Sequence, residues 1–162
     1  MDDVHVPGLG TFHREERRTF GGPVGGPHRE LVSVTWEARV NWRGEDVTLT
    51  LDDDETRLTA EDIAQAGQRL LAFLEREPDT RREVATAMLD LAEDWWAARD
   101  DEESETLLTL ERFLGLMRLD AVVAESDGLT VYYDDDEEIF AGHAIQATFD
   151  AAGNLADTDI PG

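Results

Sequence analysis

Val32-Ser33-Val34-Thr35-Trp36-Glu37-Ala38-Arg39-Val40-Asn41-Trp42 alternates apolar and polar side chains without a break. Successive side chains of a strand point to opposite faces, so a period of two predicts a strand with one buried face and one wet face. Arg43-Gly44-Glu45 supplies a turn, and Val47, Leu49 and Leu51 then alternate with Thr48 and Thr50. Residues 31–52 therefore read as a β-hairpin whose two strands share one apolar face. That face has to be covered, and the chain downstream supplies the cover.

Beyond the hairpin the period lengthens. Thr59 with Asp62 resembles a capping box in which Asp replaces the usual Glu, and Ile63, Ala66, Leu70, Phe73 and Leu74 follow at helical spacing. Pro78 is expected to stop this helix. Thr80 with Glu83 reads as a second capping box, opening a helix with Val84, Met88, Leu91 and Trp95 on its stripe and Trp96 beside it. A short third helix is predicted after an N-cap at Thr109, stapled by Leu108 and Phe113, and ending near Leu116.

Strand patterns then return. Leu119, Ala121 and Val123 lead to the turn dipeptide Asp127-Gly128, and Leu129, Val131 and Tyr133 continue beyond it. Ile139, Ala141, His143, Ile145, Ala147 and Phe149 predict the face of a further strand, and Leu155 to Ile160 a last one. Upstream, Leu9 to Phe12 reads as a short strand. Residues 13–30 read as an exposed loop, because Gly21 to Pro27 holds four glycines and two prolines. Strands, then helices, then strands predict a single α+β domain over residues 1–162. Its expected architecture is an antiparallel sheet, from the hairpin and strands over 118–160, with about three helices over 59–117 packed on one face.

The charge is the strongest compositional signal. Thirty-eight acidic residues face fourteen basic ones, a net of −24 over 162 residues, and every basic residue is arginine. Residues 1–30 carry only −1, so the body carries −23. Such a field argues against direct binding to nucleic acid or to an anionic membrane and favours a cationic partner. The plainer alternative is that the acids simply solvate the surface. Arginine without lysine beside abundant Ala, Gly, Asp and Val suggests a GC-rich genome, and a salt-adapted proteome gives the same look. There is no cysteine, which excludes disulfides, thiolate zinc sites and cysteine nucleophiles. Met1-Asp2-Asp3 opens no signal peptide, and no apolar run is long enough to cross a membrane, so a cytoplasmic location is the expectation.

Several segments together resemble a known bacterial family. They are Gly10-Thr11-Phe12, the Trp-bearing hairpin from Trp36 to Leu51, Tyr132-Tyr133-Asp134-Asp135-Asp136, Ile139-Phe140-Ala141-Gly142-His143-Ala144-Ile145, the turn at Gly153 and the closing Ile160-Pro161-Gly162. The chain resembles the uncharacterised group called domain of unknown function 2262, with Gly21 to Pro27 as an insertion. The resemblance bears on the fold and implies no activity.

Candidate chemistry is sparse. His143, placed by the alternation on an apolar strand face, is the candidate general base or metal ligand, with Asp134, Asp136 and Glu138 as neighbouring carboxylates. The alternative is a buried histidine satisfied by a backbone or carboxylate group. The Asp134–Glu138 acids are not an EF-hand, since Ile139 stands where glycine is needed and Ile145 where the bidentate acid is needed. Asp52-Asp53-Asp54-Glu55 reads as a solvated turn. No nucleotide-binding glycine motif or nucleophile elbow is present. Trp95 belongs to the predicted core stripe. Trp96 reads first as covering an edge of the core, and as the alternative it forms, with Asp100, Asp101, Glu102 and Glu103, the candidate contact surface. The leading expectation is a non-catalytic module binding a basic protein, in the manner of an immunity protein, an inhibitor or a nucleic-acid mimic, with no cofactor. The rivals are a metal-assisted enzyme built on His143 and a structural module without a dedicated site.

Overall fold

A computed structural model describes residues 3–53 and 57–161. Eight strands form one sheet in sequence order: β1 (Val4–Val6), β2 (Gly10–Gly21), β3 (Arg29–Trp42), β4 (Glu45–Asp52), β5 (Arg118–Ala124), β6 (Gly128–Asp134), β7 (Ile145–Asp150) and β8 (Leu155–Asp159). The predicted hairpin is β3–β4, with Trp36 opposite Leu51, Ala38 opposite Leu49 and Val40 opposite Val47. The two strand sets join directly. β4 lies beside β5 with Leu49 next to Val122, and this pair runs parallel. The expected antiparallel-only sheet is therefore corrected at one place. The helical crossover between β4 and β5 returns the chain in the same direction, as a parallel pair requires.

The cover is α1 (Ala60–Ala97), a single helix of 38 residues, roughly 57 Å long at 1.5 Å per residue. A short 3-10 turn (Glu102–Glu105) and α2 (Leu110–Leu116) follow. The expected count of about three helices is thus two α-helices, because Pro78 does not end α1. Proline lacks an N–H and crowds the carbonyl four residues back, which here is that of Leu74. The indole Nε1 of Trp42 donates to that oxygen at 3.1 Å, replacing the missing bond from across the sheet. Thr80 is consequently an interior residue, and its hydroxyl donates to the Glu77 carbonyl. The cap at Thr59 and Asp62 forms as a full capping box. Thr109 caps α2, with Leu108 and Phe113 both buried beside it.

The core lies between the helices and one face of the sheet. Trp36, Leu49, Val122, Val131 and Ala147 belong to one buried cluster with Ile63, Leu70, Leu74, Val84 and Met88. Gly67 is where α1 meets β1 most closely: a Cβ there would stand 2.6 Å from a Val6 methyl. The other sheet face is polar, bearing Glu37, Arg39, Thr48, Thr50, Gln146 and Thr148. Among the described residues no helix is long and apolar enough to cross a membrane.

Three further expectations change. Residues 13–30 are strand up to Gly21 and again from Arg29, leaving only the Gly/Pro segment as the turn of a long hairpin. Ile139 to Gly142 are turn residues, His143 and Ala144 have no regular structure, and strand begins only at Ile145. Asp53 is buried, accepting from the Trp36 indole at 3.1 Å and from the Leu58 amide. Asp54 and Glu55, read with it as a solvated turn, lie outside the described residues.

Candidate functional site

Because α1 is continuous, its buried stripe keeps one phase from end to end. Steps from Val84 run through Met88 and Ala92 to Trp96, all buried. Trp96 is therefore the core residue and Trp95 the flanking one, the reverse of the expected pair. The Trp96 indole donates to the Thr106 carbonyl at 2.9 Å. The guanidinium carbons of Arg99 and Arg112 sit 4.5 and 4.6 Å from its ring centre. Only 2% exposed, Trp96 offers no contact surface.

Trp95 and Leu91, displaced from the stripe, instead line a shallow hollow of about 320 Å³ with His143, Asp159 and Ile160. The Trp95 ring meets Phe140 at 5.6 Å and His143 at 6.1 Å, both edge-on. His143 thus reaches the hollow from an exposed turn, not from a buried strand face.

The turn that carries His143 is held by a buried carboxylate. Asp135 is fully buried, and its Oδ2 accepts the amides of Ile139 and Phe140, each at 2.9 Å. Its Oδ1 has no hydrogen-bond partner among the described residues. Asp136, Glu137 and Ala141 adopt positive φ of 55°, 62° and 53°, which side chains other than glycine rarely take, and Gly142 follows at 89°. Two buried side chains, Ile139 and Phe140, lock this conformation against the core. Asp134 accepts from the Asp136 amide, and Arg99 donates to the Glu138 carbonyl at 2.6 Å. The four candidate ligands are therefore spread along the turn. Among the described residues no three His, Asp or Glu side chains are grouped to hold a metal ion.

Carboxylates line the exposed side of α1 and its exit. Glu75, Asp79 and Glu83 stand at intervals of four, as do Asp90 and Asp94, and all five are exposed, with no ion pair among the described residues. Like charges at that spacing destabilise a helix by about 0.2–0.5 kcal/mol each. The last turn of α1 contains no basic residue, so Asp94 sits at the negative end of the helix dipole. Asp100 to Glu105 then add five more acids. Of these, Asp101 pairs with Arg99 at 2.6 Å and Glu103 with Arg112 at 3.2 Å. The Asp101 carboxyl is held below its ordinary range by the Ser104 amide and by Arg99.

A second polar centre escaped the sequence reading. Arg81 forks onto Glu45 at 2.6 and 3.1 Å and onto Glu77 at 2.6 and 3.1 Å, and donates to the Met117 carbonyl at 3.0 Å. Glu45 also accepts the Leu119 amide, which ties β4 to the start of β5. Burial works against the Arg81 charge, but the hydrogen bonds it donates to Glu45 and Glu77 outweigh it and raise its pKa. The Tyr133 hydroxyl faces Glu77 and Thr80 without closing a well-formed bond to either, and burial holds it protonated far above its ordinary range. The i,i+4 pair Glu77–Arg81 was visible in the sequence. The third member, Glu45, was not, since only the crossover brings it near.

The fold and its surface define an α+β domain with one helical layer and an acidic exit from its long helix. More particularly, the chain belongs to the family DUF2262, described as an uncharacterized protein conserved in bacteria, whose model matches residues 32–160. Neither a curated protein nor a solved structure matches the chain significantly.

Proposed function

We propose that this protein is a non-catalytic binding module whose acidic exit from α1 engages a cationic protein, as an immunity protein, an inhibitor or a nucleic-acid mimic does. The observation that supports this is where the carboxylates stand. Asp94 stands at the negative end of the α1 dipole with Asp90 one turn before it, and Asp90, Asp94, Asp100, Glu102 and Glu105 have no ion pair among the described residues, whereas Asp101 and Glu103 are held by Arg99 and Arg112. Local stability does not account for that placement, whereas a partner's positive charge does. The Trp95 hollow lies within this field. An aromatic ring flanked by carboxylates suits an arginine or lysine side chain, through its stem and through cation–π contact.

The test is capture from bacterial lysate at low and high salt, comparing the wild type with D90N/D94N and with W95S. A basic protein held at low salt by the wild type, released at high salt, and held at least tenfold more weakly by both variants is the expected result. Equal retention by the variants, or no basic protein retained, overturns the reading.

A further inference from the structure

The parallel strands β4 and β5 end at the same edge of the sheet, with Leu51 beside Ala124. In open α/β sheets, ligand crevices form outside the carboxyl ends of parallel strands, where the chain leaves the sheet for its crossover. Here the crossover is α1. Its first turns stand over that edge, and a hollow of about 490 Å³ lies between them and the strand ends. That volume is in the range of small-molecule sites. The hollow is far from the one at Trp95: Arg69, on its wall, and Trp95 lie on one continuous helix, roughly 39 Å apart at 1.5 Å per residue.

The floor of the hollow is apolar, formed by the buried Leu51, Ala66 and Ala124. Its walls carry opposite charges, with Arg69 facing the same space as Asp52, Asp62 and Glu125. Arg69 has no ion pair among the described residues. Its one hydrogen bond there is long, 3.5 Å to the Glu125 carbonyl, so most of its N–H donors are open to a ligand. Asp62 stands about two turns earlier on the same helix face, and Arg69 leans back toward it as helical side chains do. Thr59 donates twice to one Asp62 oxygen, Oδ2, and Thr130 donates to Glu125 Oε2. The second oxygen of each carboxylate is open among the described residues. One cation among three acids disfavours a simple anion, and a simple cation leaves the Arg69 fork unmet.

We infer that this hollow binds a free basic α-amino acid, arginine or lysine. The ligand carboxylate meets the Arg69 fork, the bidentate charge-assisted contact that guanidinium geometry favours. Its α-ammonium faces Glu125, which Arg69 already touches through the backbone. Its methylenes lie over the apolar floor, and its distal cation reaches Asp52 and Asp62. The site is independent of the acidic exit of α1 and of any protein held there.

Isothermal titration calorimetry of the full chain tests the inference, with L-arginine, L-lysine and agmatine as ligands and R69Q and W95S as variants. Agmatine is arginine without its carboxylate. It carries more positive charge, so general attraction to a protein of −24 favours agmatine, whereas a site built on Arg69 favours arginine. The wild type is expected to bind arginine about tenfold or more tightly than agmatine, the worth of one charge-assisted pair. R69Q should lose that preference and W95S should keep it. Arg69 is exposed, so R69Q is expected to fold, with circular dichroism as the check. Absence of saturable binding by arginine and lysine overturns the inference. So does agmatine binding as tightly as arginine, or an R69Q protein that binds arginine as the wild type does. Loss of arginine binding in W95S also overturns it, since the ligand would then sit in the Trp95 hollow.

Discussion

Arg81 shows how much one side chain can hold. It stands between two carboxylates, with Glu77 only 3% and Glu45 17% exposed at the side chain. Removing it leaves two like charges facing each other with little water, the situation in which breaking a buried pair costs about 3–5 kcal/mol. Arg81→Met is expected to lose that much in urea denaturation. Arg81→Lys should lose less, since it keeps the charge while giving up the double fork. An R81M protein as stable as the wild type would mean that this ion-paired centre contributes nothing to stability. Single positions were unevenly legible in the sequence. Trp36 and Leu49 were placed correctly because alternation alone fixes a strand's faces. His143 was misplaced for the same reason: alternation across Ile139, Ala141 and His143 mimics a strand, while Asp135 and three positive φ angles fold that segment into a turn. No spacing rule reports a carboxylate that caps amides four and five residues ahead.

The long helix is where local rules and tertiary context part. Pro78 ends a helix in isolation, and reading two helices around it was the correct local inference. What reverses it is one hydrogen bond from a residue 36 positions upstream, the Trp42 indole onto the Leu74 carbonyl. The phase of the buried stripe follows from this continuity, and so does the exchange of roles between Trp95 and Trp96. The same logic makes a quantitative test. In the wild type, Trp42→Phe leaves the Leu74 carbonyl without its donor, at a cost of about 1–3 kcal/mol. In a Pro78→Ala background the alanine N–H is available to bond that carbonyl within the helix, and Trp42→Phe should cost measurably less. A double-mutant cycle in urea is expected to give a coupling of roughly 1 kcal/mol between positions 42 and 78. Additive effects would show that the helix runs through Pro78 for another reason. The hairpin, the caps at Thr59 and Thr109 and the closing strands were legible because their signals are local. The parallel β4–β5 pairing was not, because it is decided by where the crossover lands.

Across the molecule, charge and fold act against each other, and pH separates them. At neutral pH and low salt, −24 on 162 residues repels itself in the compact state. Lowering the pH toward 5 begins to protonate carboxylates and relieves that repulsion, so stability should first rise. A second effect opposes it at lower pH. Asp62 is pulled below its ordinary 3.8 by the Thr59 hydroxyl and amide. Asp101 is lowered by the Ser104 amide, and Asp150 by the amide and side chain of Asn154. A carboxyl whose folded pKa is depressed contributes stability above its unfolded value and loses it as the pH falls through the folded value. Below 3.8 the unfolded chain takes up protons that these three groups resist, and stability should fall. Melting temperature against pH at low ionic strength is therefore expected to peak between about pH 4 and 6. Salt distinguishes the two limbs. Screening weakens long-range repulsion between exposed charges far more than short hydrogen bonds to a carboxylate. Added salt should raise the melting temperature at pH 7 and flatten the neutral limb, while the acid limb below 3.8 stays in place. A melting temperature that falls steadily from pH 7 to 5 at low salt would mean the carboxylates are on balance stabilising in the free protein. The case for a cationic partner built on their unfavourable placement would then lose its support.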